Sequence, residues 1–115
     1  MSIIVFAATR DDSPAFGAYK EVLEDTGGHA FIDVYSEEKL SMAIPFADLV
    51  IVFSMGGDRF LKPLEEYSGK RPPVLYLYTM VKPKSFVVTR TLQIPRYELF
   101  KEIVGIVQEL IAQRD

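Results

Sequence analysis

The feature that most constrains the fold is Leu49-Val50-Ile51-Val52-Phe53, an apolar run that does not alternate and that ends abruptly in Ser54-Met55-Gly56-Gly57-Asp58. A strand with one face in water alternates apolar and polar residues. A strand covered on both faces need not, and strands covered by helices on both sides are as a rule parallel. The run is therefore expected to be the central strand of a parallel sheet, handing the chain into a loop. Paired glycines there permit a sharp turn and let a ligand approach the backbone closely.

The rest of the chain supplies the alternating elements that such a strand requires. Ser2 to Ala8 reads as a first buried strand, and Thr9 to Pro14 as a polar loop in which Ser13 can cap a helix and Pro14 can occupy its first turn. That helix runs to about Asp25. Its apolar positions Phe16, Tyr19, Val22 and Leu23 keep three-and-four spacing, and Gly27-Gly28 provides a left-handed stop. His29 to Tyr35 alternates more, as a strand nearer the sheet edge would. Ser36 with Glu37 and Glu38 starts a short second helix, which Pro45 ends near Ile44. A third helix begins around Phe60 to Lys62, since Pro63 belongs in a first turn, and carries Phe60, Leu61, Leu64 and Tyr67 on one face before stopping at Gly69. Val74 to Tyr78 is a fourth strand, rich in β-formers.

Ser85 to Thr89 also has strand character, but residues 79–84 are too few to hold a crossover helix. The segment is expected as an antiparallel edge strand, with a flap beside the sheet as the alternative. From Tyr97 to about Gln113 a final helix spreads Leu99, Phe100, Ile103, Val104, Ile106, Val107, Leu110 and Ile111 over an arc of about 160°, as a sheet-covering helix does. Gly105 inside it costs about 1 kcal/mol against alanine and marks either close packing or a tolerated position. The expected fold class is α/β: a three-layer, flavodoxin-like or Rossmann-like open sheet with four parallel strands, an antiparallel edge strand and a C-terminal helix packed on the sheet, in one domain over residues 1–115.

Composition narrows the function classes. A chain of 115 residues that is 49% hydrophobic can bury one modest core. The formal net charge of −3 and the scatter of the 13 Lys and Arg residues disfavour nucleic acid and anionic membrane surfaces as partners. Absence of cysteine removes disulfides and thiolate chemistry, and fits the cytoplasm. No apolar run approaches the ~20 residues of a membrane span, and no signal-peptide pattern precedes the first strand, so a soluble, unexported protein is expected.

In an open parallel sheet, ligands bind outside the carboxyl ends of the strands. That rule gathers residues 9–13, 54–59 and 79–84 at one edge and sends His29, the sole histidine, to the other, where its role is structural. With no second histidine and no cysteine, Ser-His and His-metal mechanisms are disfavoured. The candidate ligand-binding residues are Arg10, Ser54, Gly56, Gly57, Arg59 and Lys82. The glycines would admit a phosphate to the backbone, and the three cations would neutralise it. Asp58 is the candidate catalytic residue, as a base or a magnesium ligand, against the plainer role of a helix cap. The ordinary reading of the other charged residues is a solvated polar loop, and of the glycines a tight strand-to-helix turn that binds nothing. Phe53, Tyr76, Tyr78 and Phe86 read as core or subunit interface rather than as a base-stacking platform.

The span Asp48 to Leu61 resembles the strand-then-GGDG segment of NAD kinases. On that resemblance Gly56, Gly57 and Asp58 correspond and Asp58 would be catalytic, although Arg59 and Phe60 stand where that family has glycine and threonine. The same span with Pro73-Val74-Leu75 is similar to the N-terminal α/β domain of fucose- and arabinose-isomerase-like proteins, whose GGTE segment corresponds to Gly56-Gly57-Asp58-Arg59; that would imply sugar binding without activity. Length and layout also resemble a response-regulator receiver, but a receiver carries a phospho-accepting aspartate at the end of its third strand, where this chain has Phe53-Ser54. A flavodoxin carries a Ser/Thr- and Gly-rich phosphate loop after its first strand. Thr9 to Pro14 has no glycine and two acids, so flavin is disfavoured. Three readings follow. The first is a small-molecule-binding domain for an anionic ligand, a nucleotide or sugar phosphate. The second is a protein-interaction or oligomerisation module without catalysis, associating through the strands near Val74–Tyr78 and Phe86–Thr89. The third is a magnesium-dependent phosphotransferase using Asp58.

Overall fold

The computed structural model describes residues 1–54, 59–95 and 98–114. Five strands, β1 (Ser2–Ala7), β2 (His29–Val34), β3 (Leu49–Ser54), β4 (Val74–Tyr78) and β5 (Arg90–Gln93), form one sheet in the order β2-β1-β3-β4-β5. Every pairing is parallel. Helices α1 (Gly17–Thr26), α2 (Glu37–Ala43), α3 (Leu61–Glu66) and α4 (Leu99–Arg114) connect or follow the strands. The flavodoxin-like α/β fold expected from the sequence is thus present.

β3 lies at the centre, and all six of its residues are buried. Its period-two geometry divides them between two layers. Leu49, Ile51 and Phe53 join Phe16, Tyr19 and Leu23 of the first helical region and Leu99, Ile103, Val107 and Leu110 of α4. Val50 and Val52 join Leu40, Ala43, Leu61 and Leu64 on the other face. The non-alternating run is what two covered faces demand. Phe16, just before α1, sits 4.9 Å from Phe53 and 5.5 Å from Phe6, ring centroid to centroid, and Tyr19 stacks on Phe100 at 4.6 Å, so aromatic pairs join the start of the first helical region to the sheet and α1 to α4.

Local signals act largely as expected. Gly27 and Gly28 have φ of 71° and 82° and end α1. The Ser36 side chain accepts a hydrogen bond from the Lys39 N–H, with Glu37 and Glu38 in the first turn of α2. Pro45 falls in a short 3-10 turn, Ile44–Phe46, immediately after α2. The first helical region starts differently from the expectation. Residues Ser13–Phe16 form a 3-10 turn whose flanking residue is Asp12, which makes no side-chain cap, and regular helix begins only at Gly17.

The fifth strand is the main correction. Residues 86–89 are not a strand, and the strand that follows runs parallel to β4 from Arg90. An extended chain advances about 3.3 Å per residue, so residues 79–89 can run back along the ~17 Å of a five-residue strand without a helix. Pro83 favours that extended path. The β-forming residues serve as a plug: Val87 is buried with Val74 and Tyr76, and Val88 packs against the same layer. Ser85 holds the turn, its carbonyl accepting from the Val88 N–H at 3.3 Å and its hydroxyl from the Val87 N–H at 3.4 Å. Thr89 then fixes the return. Its N–H donates to the Val74 carbonyl at 2.9 Å, and its hydroxyl accepts from the Val74 N–H at 3.0 Å. We call residues 79–89 the strap. The Ile94–Pro95 peptide after β5 is cis.

Candidate functional site

The carboxyl ends of the strands form the edge where a ligand was expected. After β1 the chain turns tightly, the Asp12 N–H donating to the Thr9 hydroxyl at 3.1 Å and to its carbonyl at 3.2 Å. The Arg10 guanidinium lies over the Tyr35 ring, 4.6 Å from its centroid, and so bridges the loops after β1 and β2. Ser54 ends β3 opposite Tyr78 of β4 and is only 8% exposed. Gln93 Nε2 donates to the Thr79 carbonyl at 3.1 Å, and the Ile94 N–H to the Tyr78 carbonyl at 2.8 Å, tying the ends of β4 and β5 together.

Arg59, before α3, reaches Glu37 at the start of α2, with 3.5 Å between Nε and Oε1. Both side chains are exposed, so the pair contributes little to stability, but it commits the guanidinium to a carboxylate. Lys82 is exposed on the strap. Gly56, Gly57 and Asp58 lie outside the described residues. His29 starts β2 at the opposite edge and meets Phe31 edge-on at 6.2 Å, and its Nδ1 is buried without a hydrogen-bond partner. Among the described residues no three His, Cys, Asp or Glu side chains gather to hold a metal, and no helix is long and apolar enough to cross a membrane.

Two hollows formed by described residues lie toward the amino ends of the strands. One, of about 280 Å³, sits between α2 and α3 and is lined by Ser41, Ile44, Pro63, Glu66, Tyr67 and Ser68. The other, of about 270 Å³, lies between residues 70–73 and the end of the strap, against Gln113 of α4. Each falls short of the roughly 300–1,000 Å³ of pockets that engulf small molecules.

A feature unread in the sequence becomes visible beside the second hollow. Between Glu66 and Glu98 there is no acid, while Lys70, Arg71, Lys82, Lys84, Arg90 and Arg96 all fall in that interval. The cations are therefore not scattered. The signal was a gap in the acids rather than a cluster of bases. The same interval holds exposed apolar side chains, Met80 at 85%, Val81 at 81% and Phe86 at 73%. The aromatic group Phe53, Tyr76, Tyr78 and Phe86 is accordingly no single cluster: Phe53 and Tyr76 are buried on opposite faces of the sheet, and Phe86 lies outside it beneath Arg71.

The sequence matches no known family model and no curated protein. Solved structures do match over nearly the whole chain. A response regulator receiver domain protein of Bacillus halodurans superposes with a TM-score of 0.71 at 18% identity, over 95% of this chain and 96% of that one. A Francisella response regulator receiver domain gives 0.71 at 15% identity over the full length of both. The pseudo-receiver domain of the CikA protein gives 0.64 at 15% identity, over 96% of this chain and 97% of its own. At these identities the likeness is one of fold.

These matches correct two sets of expectations. The resemblances to NAD kinases and to sugar-isomerase N-terminal domains are overturned, since the whole-chain likeness is to receiver domains. They rested on a strand running into paired glycines, which any tight strand-to-helix turn can use. The anionic small-molecule reading, and with it the phosphotransferase alternative, falls with them. The partner expectation is corrected as well. β4 is bonded on both sides, by β3 and β5, and residues 86–89 form no strand, so neither offers an edge for self-association.

Proposed function

We propose that this chain is a protein-docking domain of receiver fold that works without being phosphorylated. The observation that carries the reading is the end of β3. A receiver places its phospho-accepting carboxylate there, and this strand closes on Phe53-Ser54, with Ser54 almost wholly buried. A serine hydroxyl cannot form the mixed anhydride that a carboxylate forms with a phosphoryl group. Asp11 and Asp12 belong to the loop after β1, a different strand end. What the fold retains is a rigid sheet with exposed apolar side chains on its connections: Met42 and Phe46 between β2 and β3, and Met80, Val81 and Phe86 between β4 and β5. Apolar side chains grouped on a surface mark interaction sites. The cysteine-free composition suits work in the cytoplasm.

Incubation with acetyl phosphate and magnesium tests the reading, with intact mass as the readout. The mass is expected to stay unchanged. A stable or hydroxylamine-labile phosphoryl adduct would overturn the phosphorylation-free reading.

A further inference from the structure

The flank bounded by residues 70–73 and the end of the strap combines positive charge and exposed apolar surface. The Arg71 guanidinium lies over the Phe86 ring, 4.7 Å from its centroid. Arg71 and Phe86, with Lys70, Val87 and Gln113, line the hollow of about 270 Å³. Lys84 is exposed two residues before Phe86. Among the described residues two nearby acids are engaged: Glu65 accepts a hydrogen bond from the Ser85 hydroxyl at 2.7 Å, and Glu109 lies 3.5 Å from Arg90. Among the described residues Arg71 and Lys84 pair with no carboxylate.

We infer that this flank binds an acidic protein segment that carries apolar side chains. The inference rests on the docking reading above and names the partner's chemistry. A guanidinium stacked on an aromatic ring is held in place, so it loses less freedom when its N–H edge meets a carboxylate. Phe86 remains largely exposed despite that stack and offers an apolar surface beside the charge. The hollow of about 270 Å³ has room for an apolar side chain of that segment.

Complementarity also separates a protein segment from a polyphosphate. Outside residues 67–97 the chain holds sixteen acids against seven cations. Acids stand on both neighbouring helices, Glu65 and Glu66 on α3 and Glu102 and Glu109 on α4. An extended nucleic acid backbone running past the flank meets these acids. A short acidic segment anchored by an apolar residue does not need to.

The test is selection from a random peptide display library on the immobilised protein, run in parallel on Arg71→Glu/Lys84→Glu and on Phe86→Ser, each first shown by circular dichroism to keep the parental spectrum. The parent is expected to enrich peptides with Asp or Glu around Leu, Ile or Phe. A synthesised winner should bind about tenfold more weakly to the charge-reversed protein and should weaken as salt rises. Phe86→Ser should lose affinity without losing the salt dependence. Peptides enriched without acids, or acidic peptides that bind the charge-reversed protein equally, would overturn this inference while leaving the docking reading standing. No peptide enriched on any of the three proteins would sink both. Tight binding of single-stranded oligothymidylate by the parent, lost on charge reversal, would reassign the flank to nucleic acid.

Discussion

Asp48 stands where the pairing of β1 with β3 would otherwise leave a gap. Its carboxylate accepts from the Ile3 N–H at 2.7 Å, while its own N–H donates to the Ile3 carbonyl at 2.8 Å. One side chain thereby extends a parallel ladder by a rung. Asp48→Ala removes the acceptor and leaves a partly buried donor unpaired, with an expected loss of about 1.5–3 kcal/mol. Asp48→Asn keeps an acceptor and should lose less. Urea denaturation of the three proteins checks both; equal stability of Asp48→Ala and the parent would contradict the assigned role. The sequence displays Asp48 plainly, as a polar residue entering an apolar run, yet its partner is forty-five residues away and leaves no local trace. Ser36 and the pair Gly27-Gly28 are the opposite case, since their partners lie within a turn and their roles were legible. Arg10 and Arg59 fall between. Their place at one edge followed from the order of elements, but their engagement by Tyr35 and Glu37 depends on how two loops meet.

At the scale of elements, α4 and the strap mark what pattern can and cannot say. The apolar arc of α4 was readable because a helix repeats its burial every few residues. Gly105 falls on its exposed side, and a methyl group there would meet no atom within 4 Å. Gly105→Ala should therefore stabilise the protein by about 1 kcal/mol and raise its melting temperature by several degrees. A lower melting temperature would mean that something else depends on this position. The strap was misread because Phe86-Val87-Val88-Thr89 has the composition of a strand, and propensity does not distinguish a plug from a pairing partner. Its consequence is measurable. β3 is buried on both faces, whereas β5 is a four-residue edge strand reached through a connection that has turns and no helix. Native-state hydrogen exchange should find the amides of β5 and the strap opening well before those of β3, and β5 amides outlasting those of β3 would refute that order.

For the whole molecule, the arrangement of layers could be read from one strand, while the docking surface could not. Net charge and pI are sums, and a sum of −3 conceals a long stretch of chain, residues 67–97, without acids. The sheet order gives that flank a position. Residues 1–54 hold three cations against nine acids and build β2, β1 and β3, while the acid-free stretch contains β4 and β5. Because the strands lie in the order β2-β1-β3-β4-β5, a bias along the chain becomes a bias across the width of the sheet. The molecule is thus a permanent dipole, on which the field of any charged body nearby exerts a torque. A negatively charged partner would feel little net attraction at a distance, yet at low salt it would meet a protein already turned to present β5 first.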